Sequence, residues 1–203
     1  MFELLRLHPE RPQQRHIARA VQRLQQGWAV IVPTDSSYAF MCLPDAFEAQ
    51  ERICRLRGLD KHHLWSLVCH NLSQVSQYVN MDNVNHRIMR SHLPGPYTFI
   101  LPASRRLAKR IFGKRRDIGI RMPCHAVCDA LLATLNQPLL ATTLQFVDEP
   151  FPAIDPDDFM ARINFEKHVV LDAGWGGVES TTVVDLCDQV PVVVREGLGV
   201  FKD

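Results

Sequence analysis

The run Trp28-Ala29-Val30-Ile31-Val32 stops abruptly at Pro33-Thr34-Asp35-Ser36-Ser37-Tyr38. A short apolar run with three β-branched residues, bounded by Gly27 and Pro33, predicts a buried strand. A buried strand commits the chain to a sheet covered on both faces. Its exit is crowded with hydroxyls, and in α/β sheets ligands collect outside the carboxyl ends of strands. The junction therefore predicts a site as well as an element.

The rest of the pattern agrees with layered α/β architecture. Ile17, Ala20, Val21 and Leu24 recur at helical spacing and predict a helix over 12–26, with Gly27 as its stop. Helices are also predicted at 45–57, 82–92, 126–135 and 155–163, and Asn71 can cap a short one. Strands are predicted at 3–7, 64–69, 97–101, 118–122, 139–142 and 169–172. Near the end, 182–186 and 190–194 flank the turn Cys187-Asp188-Gln189 and read as an antiparallel hairpin. Strands alternating with helices predict α/β layers, and the hairpin makes the sheet mixed. With no repeat and no linker, residues 1–203 read as one domain, long enough to bury roughly 70% of its unfolded surface.

Composition excludes several classes. A formal net charge of +1 rules out the molecule as a whole acting as an electrostatic magnet for nucleic acid, so any such role needs a local patch. No apolar stretch approaches the roughly 20 residues of a membrane span, and the start MFELLRLHPERPQQR lacks a signal-peptide pattern. A cytoplasmic location without membrane partners is expected. The six cysteines include no C-x-x-C pair and are expected to be thiols rather than a disulfide framework. Cys124, His125 and Cys128 have spacing that suits a metal, but no second ligand pair accompanies them, so no metal site is predicted.

Polar groups recur at strand ends. Arg121 follows Ile118-Gly119-Ile120, Arg195 follows Val192-Val193-Val194, and Thr142-Thr143-Leu144-Gln145 ends the run at 139–142. Guanidinium forks suit phosphate or carboxylate, because two donors engage two oxygens. Together these residues predict a site for an anionic ligand. For either arginine alone, pairing with Asp117 or Glu196 is the simpler expectation. A second signal is the segment 105–116, with seven basic residues and no acidic one. It either makes a positive field suited to phosphate backbones or a solvated helix face. No P-loop, nucleophile elbow or dinucleotide fingerprint is present.

The ordered motifs GWAVIVPTDSSYAF, PGPYTFIL, GIRMPCHAVCDALL, PLLATTLQ and STTVVDL with VPVVVREG resemble the YrdC/Sua5 family of threonylcarbamoyl-AMP synthases. They span about residues 12–199, and ICRLRGL with VVVREGLG is most similar to the YciO branch. The resemblance implies a YrdC/RibB-like twisted, mixed parallel/antiparallel sheet flanked by helices, with a concave basic face. It implies ATP, L-threonine and bicarbonate as ligands, and threonylcarbamoyl-AMP and pyrophosphate as products. That adenylate feeds threonylcarbamoyl modification of adenosine in tRNA. No cofactor is expected to be permanently bound; ATP enters as a substrate, with Mg2+ as its companion ion.

Carried over position by position, the resemblance assigns ligand binding to Thr34, Tyr38, Arg121, Thr181 and Arg195. It assigns the reacting end to Arg57, Thr143 and Gln145, at motif positions that have changed. Leu59 stands where the synthases carry an arginine, Gln145 replaces an asparagine, and Ala39 replaces a glycine. Double-stranded RNA or tRNA binding is the alternative function, through Lys109, Arg110, Lys114 and Arg115.

Overall fold

A computed structural model of the protein describes residues 2–60, 63–104, 117–188 and 190–202. The strand expected at 28–32 is β2 (Ala29–Pro33), after β1 (Phe2–Arg6) and α1 (Gln14–Gln25), and every residue of β2 is buried. The chain then turns straight back. β3 (Tyr38–Cys42), a strand not predicted from the sequence, pairs antiparallel with β2 from Val30↔Met41 to Pro33↔Tyr38. The hydroxyl-rich segment is therefore a hairpin tip, not an open strand end.

The remaining elements are α2 (Phe47–Arg57), β4 (Ser66–Val68), α3 (Leu72–Val75), α4 (Asn83–His92), β5 (Tyr97–Pro102) and β6 (Asp117–Arg121). They are followed by α5 (Ala126–Leu135), β7 (Leu139–Thr143), α6 (Pro156–Arg162), β8 (His168–Asp172), β9 (Thr182–Asp185) and β10 (Val192–Arg195). The strands form one sheet in the order β1-β8-β2-β3-β7-β4-β6-β5-β9-β10. β1, β8 and β2 are mutually parallel, β4 is parallel to β6 and β5 to β9, and the other pairs are antiparallel. This is the mixed α/β sheet that the sequence predicts, including the terminal hairpin. No helix among the described residues is long and apolar enough to cross a membrane.

Local chemistry explains the helix ends. Asn71 and Asp82 accept from the backbone N–H of Gln74 and Asn85, satisfying donors that the first helical turn leaves open. Gly58 closes α2 with φ +60°; its N–H reaches Arg55 O, and the Leu59 N–H reaches Cys54 O at 2.8 Å. That double bond needs a left-handed residue, which glycine adopts without a Cβ penalty.

Side-chain alternation sorts the sheet into two faces. One bears Ile31, Phe40, Leu67, Phe99, Ile120, Leu140, Val170 and Val184 and packs with residues of α2, α3, α4 and α6. The other bears Val30, Val32, Ala39, Met41, Leu139, Val169 and Leu171, under α1 and α5. Those two helices pack on each other and over β2, which leaves the far half of this face for other use.

Candidate functional site

Registration fixes what lies on that far half. Directly paired residues share a face, so Ala141, Ser66, Gly119 and Ile100 form one row, and Val68 and Arg121 belong to the next. Thr98 pairs with Val183, and Val183 with Arg195 across a bulge in the last hairpin. The face that is aliphatic under α1 and α5 thus becomes hydroxylic and cationic beyond β7. A cleft of about 700 Å³ opens there, its floor made by Ala141, Thr143, Ser66, Thr98, Ile100, Arg121, Val183 and Arg195. Gly119 keeps this floor level, since a Cβ would sit 3.0 Å from Thr98 Cγ2. The walls come from Arg57, from the loops at 63–64 and 150–152, and from residues 178–181.

Three guanidinium groups converge on the cleft, each held differently. Arg121 is buried at the end of β6. Its Nη2 donates to Asp35 Oδ1 at 3.2 Å and to Ser36 Oγ at 3.0 Å, while Asp35 Oδ2 accepts from the Cys124 N–H at 2.8 Å. The hairpin tip is thereby pinned to β6. The Nε of Arg121 is buried with no hydrogen-bond partner among the described residues. Arg195 donates from Nε and Nη2 to Thr181 O at 3.2 and 2.9 Å. Arg57 donates from Nε to Gln145 O at 3.0 Å and from Nη1 to Thr142 Oγ1 at 2.6 Å. His63 Nε2 lies 3.0 Å from the same hydroxyl. The local acids Asp117 and Glu196, expected as partners, are not the ones used: Arg121 takes Asp35, and Arg195 takes a carbonyl.

Burial depresses the pKa of all three guanidinium groups, and the field of Arg195 adds to the effect at Arg121, which Asp35 opposes. Glu179 is the one carboxylate among the lining residues. The cleft therefore carries an excess of positive charge at partly desolvated positions, where an incoming anion is held more strongly than on an open surface.

The expected residues divide into two groups. Arg57, Thr143, Gln145, Arg121, Thr181 and Arg195 all line this cleft. Thr34 and Tyr38 do not. The Thr34 hydroxyl donates to Ser37 O at 2.6 Å and accepts from the Ser36 and Ser37 N–H groups, so it is spent inside its own turn. Tyr38 is fully buried; its hydroxyl donates to Gly174 O at 2.7 Å and accepts from the Ala173 N–H. Burial pushes its pKa up to about 12. Both residues fasten the hairpin rather than face the cleft. Lys109, Arg110, Lys114 and Arg115 lie outside the described residues. His63 and Asp35 join the site without having been assigned to it, and Thr142, read with Thr143 as a strand-end hydroxyl, is the one that meets Arg57. Thr142 is one residue from Thr143, and alternation along β7 is the signal that separates them.

Among the described residues, no group of three or more His, Cys, Asp or Glu side chains could hold a metal ion. Cys124 is exposed, Cys128 is buried, and His125 caps α5 by accepting from the Val127 N–H. A cleft with one carboxylate among its lining residues does not fit a resident Mg2+.

The family model described as Telomere recombination, which groups the Sua5, YciO and YrdC proteins, matches residues 22–197. The chain belongs to this family. It is 40% identical over 203 residues to the uncharacterized protein YciO of Escherichia coli, covering 100% of this chain and 98% of that one. The crystal structure of E. coli YciO superposes with a TM-score of 0.91 at 39% identity over the same shares of the two chains. The threonylcarbamoyl-AMP synthase of Chromobacterium violaceum is 29% identical over 136 residues, 66% of this chain and 70% of that protein. The fold also matches Pyrococcus abyssi Sua5 in complex with L-threonine, with a TM-score of 0.81 at 23% identity over 97% of this chain and 57% of that one. Members of the Sua5/YciO/YrdC family thus include distant relatives that are threonylcarbamoyl-AMP synthases.

Proposed function

We propose that the cleft binds a nucleoside phosphate, ATP or threonylcarbamoyl-AMP, together with L-threonine. The protein would form or process that adenylate for threonylcarbamoyl modification of tRNA. The observation that carries this reading is the convergence of Arg57, Arg121 and Arg195 on one 700 Å³ cleft with a single carboxylate on its rim. The hydroxyls of Ser66 and Thr143 add neutral donors along the same surface, joined by whichever of Thr98 and Thr181 does not donate to the other across their 2.8 Å hydrogen bond. Kinship with synthases and the fold shared with the threonine-bound Sua5 support the identity of the ligands.

Each residue has a physical task in this reading. Arg121 offers its unpartnered Nε, and Arg195 the charge beside it, to oxygens of a phosphate or carboxylate. Arg57 is braced by Thr142 and Gln145, so its orientation is set before a ligand arrives, which is the condition for stabilising charge as it develops. Leu59 supplies no donor: its backbone N–H closes α2, and its side chain is not among the lining residues. Losing one well-placed donor typically costs about 10²–10³ in rate. Synthase turnover should accordingly be slow.

The test is pyrophosphate release from ATP with threonine and bicarbonate, comparing wild type with Arg121→Ala and Arg195→Ala. Both variants should lose activity. Wild-type turnover in either would remove the site from this cleft. Leu59→Arg should raise turnover, and no gain would place the limitation elsewhere.

RNA binding is a second reading, favoured by the seven basic residues of 105–116. Neutralising Lys109, Arg110, Lys114 and Arg115 should flatten the salt dependence of duplex RNA and tRNA binding in a gel shift. An unchanged slope would exclude that segment.

A further inference from the structure

The rim of the cleft differs from its floor. Leu64, Phe151 and Val178 all line it, yet they are 73%, 66% and 48% exposed. They come from three separate loops, so an apolar collar surrounds the mouth of a cationic cavity. Isolated exposed hydrophobics need no explanation, but a set around one opening does.

Phe151 is the member built to stay exposed. It stands between Pro150 and Pro152, whose rings fix φ and remove two backbone donors. The loop beneath is braced at several points. The Ala153 N–H donates to Leu144 O at 2.9 Å, closing its base. Gln145 Nε2 donates to Glu149 O at 3.0 Å. Arg162 donates to Glu149 Oε1 and Asp148 Oδ1, both at 2.9 Å, and lies over the Phe146 ring. A phenyl ring held out on so constrained a loop has not simply failed to find the core.

Resting on the reading of the cleft as a nucleoside-phosphate site, we infer that Phe151 is a base-stacking residue. The planar heterocycle of the nucleotide lies against its ring, with Leu64 and Val178 completing the apolar collar, while the phosphates turn inward to the arginines. Every base has a π-face, so such a platform recognises a flat ring and leaves the choice among bases to other groups. Gln145 gains a role as well. It positions the loop through Glu149 O and accepts from Arg57 through its own carbonyl, so it links the stacking loop to the cationic end.

The experiment is calorimetric titration of the full chain with ATP and, separately, with inorganic tripolyphosphate, which has the charge but no ring. Wild type should bind ATP more tightly than tripolyphosphate. Phe151→Ala should weaken ATP about tenfold or more and leave tripolyphosphate unchanged, since base–aromatic stacking is lost alone. Phe151→Tyr should restore ATP binding. In Phe151→Trp, ATP but not tripolyphosphate should quench the new indole fluorescence. Equal loss of both ligands in Phe151→Ala, or ATP binding at the wild-type level, would overturn the assignment. Wild type binding tripolyphosphate as tightly as ATP would overturn it while sparing the anion site. Wild type binding neither would overturn the proposed function and this inference together.

Discussion

One face of the sheet carries two chemistries. Across β8, β2 and β3 it is made of Val169, Leu171, Val30, Val32, Ala39 and Met41, sealed by α1 and α5. Across β4, β6, β5 and β10 the same face carries Ser66, Arg121, Thr98 and Arg195, and among the described helices only α2 reaches the cleft, through Arg57. One ladder joins both halves, through all ten strands. What differs is whether a helix lies over the side chains. Among the described residues no helix covers this stretch of sheet, and the side chains there are hydroxylic and cationic.

This contrast predicts that the covered half governs stability and the open half binding, with Arg121 as the residue that belongs to both. The largest effect is expected there. Arg121→Ala leaves the Asp35 carboxylate nearly buried with the Cys124 N–H as its remaining donor, which should cost about 3–5 kcal/mol in denaturant unfolding. Adding Asp35→Ala should recover part of that stability but none of the ATP binding. Recovery of both would assign Arg121 to the fold alone. Next, Leu131→Ala on the buried side of α5 should cost about 2–5 kcal/mol and leave ATP affinity of the folded fraction unchanged. A matching loss of affinity would break the division between the halves.

Smaller still, Arg195→Gln should move the unfolding free energy by no more than about 0.5 kcal/mol, the range of ordinary surface changes, while weakening anion binding measurably. The smallest effect is a pH dependence arising on the sheet's other face, where His168 lies with Ala29 and Val170. Burial lowers the pKa of His168, whose Nδ1–H donates to Phe165 O. Its folded form is neutral, so its contribution is complete above the ordinary histidine value of 6.5 and is lost as pH falls through the depressed value. Unfolding midpoints between pH 7.5 and pH 5 should fall more in wild type than in His168→Gln; equal falls would remove His168 as the source.

The sequence discloses these halves unequally. Amphipathic helices such as α1 announce themselves by spacing, and the caps Asn71 and Asp82 sit where their chemistry predicts. β3 is hidden for a physical reason: Tyr38-Ala39-Phe40-Met41-Cys42 is buried on both faces, so no alternation marks it, and the polar turn before it draws the eye to a strand end instead. In the cleft, Arg121 and Arg195 are legible because they end apolar strands, and Thr181 only through its place in the family motif. The pairing of Arg121 with Asp35 is not, since 86 residues separate them and the nearer acid, Asp117, is the simpler guess. Thr34 and Tyr38 fit the family motif, yet their hydroxyls are engaged by backbone, a distinction that residue type cannot express. Phe151 left one mark in the sequence, an aromatic between two prolines.

The row of residues that makes the cleft floor also sets an order of events. Ser66 and Arg195, both on that floor, lie 129 positions apart in the chain, and β9 joins β5 in parallel, a pairing that no tight turn can supply. Loop-closure entropy must be met before such distant contacts reward it. As the chain is synthesised, β2 to β7 can pair with Arg57 and Arg121 already in place, while β8, the partner that β1 needs, and Thr181 and Arg195 are still to emerge. On the proposed function, ligand competence is then acquired last: a stalled or clipped chain lacking residues 178–195 would hold two of the three guanidinium groups and none of that stretch of the wall.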